Sequence, residues 1–312
     1  MTAYDISRET SNVIFDKEVS SEIISKAIEE SVFMKLMQRM TILGNGKKYQ
    51  TITGDPEPQW VAETASKPVG KFTFGTKEVQ PYKMALIIPF SDEFKRDKAA
   101  LYAECYSRLP KLFGRKFDKT IMSTSAPGEN FDVLGGCHKQ SIVKSGSTTV
   151  YEQFLAADSW ISDHDGIMNG IALASKGRSI VLGAVDGQGR PLFTPGVQSG
   201  TVGDILGADV YVGKGAYVAG TDEVPAVVGV AGDWENASWG AVEAIQGSIS
   251  NEATLVYTDE NLQQVTLPLW QHNMFAVKFE IELASMVRDA NTFVLLTGNT
   301  ETGETGVSGA YS

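Results

Sequence analysis

The clearest hydrophobic pattern in the chain is a strict alternation near its carboxyl end. Apolar residues occupy every second position from Phe275 to Leu283, and Lys278, Glu280 and Glu282 stand between them. Because successive side chains of a β-strand point to opposite faces of the sheet, this pattern predicts a half-buried strand. The apolar run 293–296 follows closely, and we expect it to form an adjacent strand.

A period of three to four residues predicts one long helix. Ser91 is a suitable N-cap, and apolar residues recur after it at helical spacing: Leu101, Cys105, Leu109, Leu112, Phe113, Phe117 and Ile121. About thirty residues of helix span on the order of 45 Å. Pro110 lies inside this segment, and its missing N–H predicts a kink near Tyr106.

The same period indicates two more helices. Ser20 and Ser21 precede an amphipathic pattern that extends to Met40 and predicts a helix in an N-terminal arm. The second helix should start near Ser147, with its apolar face formed by Val150, Phe154, Ala157 and Ile161.

A stretch rich in turn formers and β-formers, from Asn45 to Pro81, predicts an extended hairpin. Trp60, Phe72 and Phe74 would be poorly buried in a free hairpin. Either the hairpin folds back on the body or another subunit buries it. From 166 to 250, short apolar runs alternate with glycine-rich turns, which indicates a mixed α/β region. The Gly- and Thr-rich segment after Gly298 is expected to be mobile.

Charge and composition narrow the class of protein. No apolar run approaches the roughly 18 residues that a membrane span needs, and we expect no membrane partner. Residues 1–125 carry a net charge of +3 and residues 126–312 carry −14, for a total of −11. This acidity argues against tight non-specific binding to duplex DNA but permits weak contact. The absence of a secretory signal pattern and the presence of only two cysteines fit a reducing cytoplasm.

Motifs that would indicate catalysis or cofactor binding are lacking in the sequence. The densest cluster of ligand-type residues is Asp163-His164-Asp165, whose successive side chains point apart on a helix. There is no G-x-S-x-G elbow, and the glycines match neither the dinucleotide nor the Walker pattern. We therefore predict no catalytic residue, no metal site and no cofactor.

Four segments, in this order along the chain, carry a resemblance to a known family. They are Trp60-Val61-Ala62-Glu63 with Pro89-Phe90-Ser91-Asp92-Glu93-Phe94, then Asp186-Gly187-Gln188-Gly189-Arg190-Pro191, then Gly232-Asp233-Trp234, and Leu269-Trp270-Gln271-His272-Asn273-Met274 with Val287-Arg288-Asp289. Together they resemble the major capsid proteins of tailed bacteriophages with the Hong Kong 97 fold. Each motif is loose by itself, but four in the family's order are hard to obtain by chance.

The resemblance implies an α+β fold with a fixed division of the chain. Residues 1–44 would be an N-terminal arm with a helix, and 45–90 an extended β-hairpin called the E-loop. Residues 91–148 and 255–300 would form a peripheral domain, made of a long spine helix, 92–122, and an antiparallel sheet. Residues 149–254 would form an apical mixed α/β domain, and 301–312 a flexible tail.

The resemblance also implies a structural function and no enzymatic activity. The chain would self-assemble into hexamers and pentamers of an icosahedral phage head, a virion component assembled in the bacterial cytoplasm. Its partners would be a separate scaffolding protein, a portal, optionally a decoration protein, and packaged double-stranded DNA. Inter-subunit contacts are expected at Trp60, Val61, Glu63, Lys67, Lys71, Phe72, Phe74 and Lys77. An encapsulin-like nanocompartment shell and a soluble hydrolase remain as alternatives.

Overall fold

The computed structural model describes most of residues 31–298. Not described within that range are 55, 64–65, 94–98, 144–147, 186–189, 191, 193–202, 222–223, 243–245 and 259–262. For 51–54, 99–107 and 246–247 only the backbone is described. The predicted helix start at Ser20 and the predicted tail therefore lie outside the described residues.

The described elements are four α-helices and fourteen strands. The helices are α1 (Val32–Leu36), α2 (Ala99–Met122), α3 (Val150–Asp163) and α4 (Ser175–Leu182). The strands are β1 (Gln38–Arg39), β2 (Lys47–Gly54), β3 (Thr73–Val79), β4 (Tyr82–Ser91), β5 (His138–Ser141), β6 (Gly170–Leu173), β7 (Asp209–Val212), β8 (Val227–Gly232), β9 (Ala237–Ala241), β10 (Gln246–Ser250), β11 (Thr254–Thr258), β12 (Gln264–Pro268), β13 (Met274–Val287) and β14 (Phe293–Thr297).

The alternating segment is the central strand of the first sheet, which confirms the period-two prediction. Along one edge β13 pairs antiparallel with β4 over ten residues. Along the other edge it pairs antiparallel with β9 and then β10, and β1 adds in parallel to β9. The predicted apolar side chains of β13 are buried, whereas Lys278, Glu280 and Glu282 are partly exposed. Lys83 of β4 lies 3.4 Å from Glu282 and 3.9 Å from Glu280 on the charged face.

The buried face of this sheet shares one apolar cluster with α2. Leu109, Phe113, Phe117 and Ile121 of the helix belong to the same cluster as Phe279 and Ile281 of β13. The helix end at Met122 and the buried face from Leu109 to Ile121 are thus confirmed, except that Leu112, predicted on the same face, is 46% exposed. Pro110 is inside a continuous helix. The predicted start next to Ser91 precedes residues 94–98, which the structure does not describe.

The second sheet has the order β5-β14-β8-β6-β7, with parallel pairs at both ends and antiparallel pairs between them. One face contributes Phe293 and Leu295 to the first apolar cluster. The other face contributes Val294 and Leu296 to a second cluster with α3 and α4. The sheet is therefore covered on both sides. Helix α3 begins as predicted, with Thr149 and Glu152 forming a capping box.

Two details of the sequence prediction are wrong. Residues 293–296 do form a strand, but β14 pairs with β5 and β8 in the second sheet and not with β13. The amphipathic pattern predicted helix as far as Met40, but α1 ends at Leu36 and residues 38–39 form β1. The edge of β9 provides hydrogen bonds for these residues, and tertiary pairing overrides the local helical period.

Candidate inter-subunit surfaces

The β2–β3 hairpin projects the residues that were predicted to contact other subunits. The two strands pair antiparallel from Lys47 with Val79 to Gly54 with Thr73. Beyond the paired strands, the loop carries Trp60, Val61, Glu63, Lys67, Lys71 and Phe72, all of them exposed, whereas Phe74 and Lys77 belong to β3.

Large apolar side chains on this hairpin are left uncovered by the chain itself. Trp60 is 104% exposed relative to its reference state, and Phe74 is 70% exposed. Val69 is 98% exposed and belongs to the same group, although the sequence prediction did not include it. Exposed apolar clusters of this kind mark interaction surfaces. Of the two options left open by the sequence, the hairpin does not fold its aromatic side chains back onto the body.

Lys77 differs from the other predicted contact residues because it binds the body of its own chain. Its Nζ lies 2.7 Å from Asp132 Oδ2 and also donates to the Val287 carbonyl. The same Asp132 oxygen accepts a hydrogen bond of 2.8 Å from the Val287 backbone N–H. Lys77 thus connects the hairpin to the last residue of β13.

The short segment 128–132, which we term the clasp, contacts the base of the hairpin at several further points. Gln80 N–H donates to the Asn130 carbonyl at 3.1 Å, and Tyr82 Oη donates to the Glu129 carbonyl at 2.7 Å. The Tyr82 ring also packs edge-on against Phe131, with centroids 6.1 Å apart. The clasp follows the end of α2, so it joins the long helix to the hairpin base.

Two backbone features allow the clasp to approach so closely. Asn130 has a φ of 59°, a left-handed conformation that Asn tolerates better than most residues. A Cβ on Gly128 would lie 2.4 Å from the Tyr82 ring, which is closer than real carbon contacts allow. The close packing of Tyr82 on this backbone therefore requires glycine.

The first described residues, Ser31 and Val32, make a buried polar contact with α2. Ser31 Oγ donates to Asp118 Oδ1 at 2.5 Å, and Val32 N–H donates to Asp118 Oδ2 at 3.1 Å. Ser31 Oγ also accepts from Met34 N–H and caps α1. Asp118 is fully buried, and these bonds satisfy its carboxylate. The start of the described chain is thereby fixed against the long helix.

The solvent side of α2 carries cations. Lys111, Lys116 and Lys119 are exposed and Arg115 is partly exposed, whereas the one acidic residue of 108–122, Asp118, points inward and is buried. A second set of exposed apolar side chains comprises Val256 and Tyr257 on β11 and Trp270, which follows β12. The sequence prediction missed this group because neither strand shows a long apolar run.

Potential metal-binding and catalytic side chains can be placed individually in the described part of the chain. No group of three or more metal-ligating side chains occurs there. His138 and His164 both stack on Trp160, with ring centroids 3.7 Å and 4.7 Å away. Burial, and secondarily Asp289, raises the pKa of the Cys137 thiol to about 11, which leaves it protonated and unreactive at neutral pH. No described helix is long and apolar enough to cross a membrane.

Comparison with solved structures identifies the fold class. A chain from Gordonia phage Cozz matches with a TM-score of 0.68 at 16% identity, covering 87% of both chains. A chain from Mycobacterium phage Adephagia also matches at 0.68, with 17% identity and coverage of 87% of this chain and 91% of the other. The fold is therefore the Hong Kong 97-like fold of tailed-phage capsids, as the resemblance predicted.

Sequence comparison gives the family. The model of the Phage capsid family matches residues 12–298, and the chain belongs to that family. It is 27% identical to the probable major capsid protein gp17 of Mycobacterium phage D29, over 90% of this chain and 89% of the relative. It is 28% identical to the corresponding protein of Mycobacterium phage L5, with 90% and 88% covered. Membership of this family identifies a structural protein of the phage capsid and not an enzyme, and the alternatives of a nanocompartment shell and a hydrolase are not favoured.

Proposed function

We propose that this chain is the repeating subunit of an icosahedral phage head, in which it forms hexamers and pentamers around double-stranded DNA. The observation that carries the proposal is the hairpin, which leaves Trp60 and its apolar neighbours uncovered in the single chain. A neighbouring subunit would cover them, because burial of an aromatic anchor can contribute about 2 kcal/mol or more to an interface.

The two sheets support a division of the subunit into two domains. The first sheet with α2 would be the peripheral domain, which presents the hairpin and receives the arm. Most of the second sheet, with α3 and α4, would be the apical domain. Strands β4, β9 and β10 pair with β13. We therefore assign these three strands to the peripheral domain, although the sequence-based boundaries placed them in the hairpin and apical segments.

The partners proposed for this function are those expected from the resemblance. A scaffolding protein, a portal and optionally a decoration protein would complete the head, which would assemble in the bacterial cytoplasm. Contact with DNA would be weak and non-specific, because the net charge of −11 disfavours tight binding to phosphates.

Negative-stain electron microscopy of the purified protein, alone and with its phage's scaffolding protein, tests the proposal. Closed shells of regular size are expected. A protein that stays monomeric under all assembly conditions would contradict it, and shells that copurify with an enclosed enzyme would identify a nanocompartment instead.

Replacing Trp60 with alanine should leave a soluble, folded subunit but reduce shell formation. The physical reason is that Trp60 has no intramolecular packing to lose, so the substitution removes only the contact with a neighbour. Ile167→Ala is a matched control, since Ile167 is an exposed apolar residue as well, at 75%, but lies on the loop after α3. Unimpaired particles from the Trp60 variant in electron micrographs would exclude the predicted role.

A further inference from the structure

An apolar pocket opens at the surface next to the end of α2 and the start of β4. Its inner wall contains the apolar side chains of Met84, Phe117, Phe131 and Leu283, and the exposed Lys116 stands at its rim. The inner wall is made of the first apolar cluster, because Phe117 and Leu283 are buried there. The pocket is thus a small gap in the packing between α2 and the first sheet.

The pocket has a volume in the range that admits aromatic groups. Its volume is about 160 Å³. Engineered apolar cavities of about 150 Å³ bind benzene, so a ring can fill a space of this size. Filling it would remove apolar surface from water on both partners.

The tip of the β2–β3 hairpin has the complementary chemistry. Trp60 is fully exposed, and Glu57 and Glu63 stand three residues away on either side, also exposed. Between these two glutamates the segment contains no basic residue. An aromatic ring flanked by carboxylates matches an apolar pocket with an ammonium group at its rim.

The pocket and the hairpin tip of one chain are too far apart to meet. Tyr82 lines the pocket and follows β3 by three residues. The seven residues of β3 extend the hairpin by roughly 23 Å from this base, at about 3.3 Å per residue. Trp60 lies beyond the far end of the paired strands. Only the tip of another copy could therefore reach the pocket.

We infer that the pocket beside α2 receives the Trp60 side chain of a neighbouring copy of this chain, with Glu57 and Glu63 facing Lys116 at its rim. This inference rests on the proposed shell function and names the receiving surface for the hairpin. Lys116 belongs to the row of cations on the solvent side of α2, so this helix provides both part of the pocket wall and the attraction.

Cysteine cross-linking tests the geometry directly. In assembled particles, Gln59→Cys combined with Thr120→Cys should give an inter-subunit disulfide, because Gln59 adjoins Trp60 and Thr120 lines the pocket. The expected result is a ladder of linked subunits on a non-reducing gel, since a disulfide requires Cα atoms within about 7 Å. Gln59→Cys with Lys139→Cys is the matched control, because Lys139 is exposed but lies on β5 of the second sheet. The three single variants define the background from the native cysteines.

Charge reversal tests the attraction between Lys116 and the two glutamates of the hairpin tip. Lys116→Glu should raise the protein concentration needed for half-maximal assembly by about twofold to fivefold, which is the range for an exposed ion pair. Glu57→Lys or Glu63→Lys introduced into the same chain should restore assembly.

A failure of the proposed shell function and a failure of the proposed pocket contact give different results. If the parent protein forms no shells, the proposed function is wrong. If the parent assembles normally but the 59–120 pair gives no ladder above the control, the receiving surface is wrong and the shell function stands. Normal assembly of Lys116→Glu, or the lack of restoration by either glutamate reversal, would overturn the electrostatic match.

Discussion

Replacing Lys77 with methionine tests whether the clasp holds the hairpin base on the body. Methionine keeps most of the aliphatic side chain but removes the ammonium group. The substitution therefore breaks the contact with Asp132 and the hydrogen bond to the Val287 carbonyl, without removing any strand pairing.

The expected cost follows from how far these groups are buried. The Lys77 and Asp132 side chains are 31% and 29% exposed, so the pair lies between a surface ion pair and a buried one. Surface pairs contribute up to about 1 kcal/mol, and hydrogen bonds to charged groups contribute about 1.5–3 kcal/mol. We expect a loss of about 1–2 kcal/mol in the free energy of opening at the hairpin base. This corresponds to an increase of about 5–30-fold in the opened population.

Hydrogen–deuterium exchange with mass spectrometry, on soluble subunits before assembly, measures this opening locally. Peptides covering 73–82 should exchange faster in the Lys77 variant by about that factor, and peptides covering β14 should not change. Lys48→Met is the matched control, because Lys48 pairs with Glu78 within the hairpin and these side chains are 71% and 42% exposed. An exposed pair of this kind is worth about 1 kcal/mol at most, so its effect should stay below about fivefold.

Equal exchange in the two lysine variants would refute the reasoning, since it would mean that the clasp adds nothing to pairing within the hairpin. A double-mutant cycle sharpens the result. Asp132→Asn keeps an oxygen that can accept from Val287 N–H but removes the charge. If the contact is direct, Lys77→Met should cost much less in the Asp132→Asn background than in the parent.

Two further predictions concern the same body. Gly128→Ala should lower the unfolding temperature of the subunit, because overpacking against Tyr82 typically costs about 1–3 kcal/mol, whereas Gly136→Ala, which has open space at its Cβ position, should have little effect in the same thermal scan. Cys137 should react with a thiol reagent at pH 8 only after unfolding, since burial raises its pKa to about 11 and hinders access; rapid labelling of the folded protein at this position, located by peptide mapping, would contradict this.

The strand with the clearest sequence pattern was predicted correctly because its environment is asymmetric. The residues of β13 alternate between the apolar cluster and a charged face. The sequence therefore alternates between apolar and charged residues with a period of two. Strand β14 carries no such information, because Phe293 and Val294 are buried on opposite faces of the same sheet. A strand covered on both sides is a continuous apolar run, and such a run does not show which sheet it joins.

For the functional residues of the hairpin as well, the sequence could predict some properties but not the long-range contacts. The sequence indicated that Trp60 would be poorly buried in a free hairpin, because its segment contains too few apolar residues to build a core, but it left open whether the hairpin folds back on the body. The role of Lys77 could not be predicted, since its partners are 55 and 210 positions away and only the folded chain brings them together. Charge alone does not distinguish a lysine that faces solvent from one that anchors an element to the body.

The hairpin tip must stay soluble before assembly, but it must bind another subunit during assembly. A paired strand with free edges and exposed aromatic side chains is prone to associate with its own kind. Glu57 and Glu63 oppose contact between two tips, because like charges would be brought together around each Trp60. The same carboxylates favour the cations of α2, so one pair of charges can both suppress the wrong contact and direct the right one. The clasp completes this arrangement, because a two-stranded hairpin is marginally stable in water and needs a fixed base to present its tip in one direction.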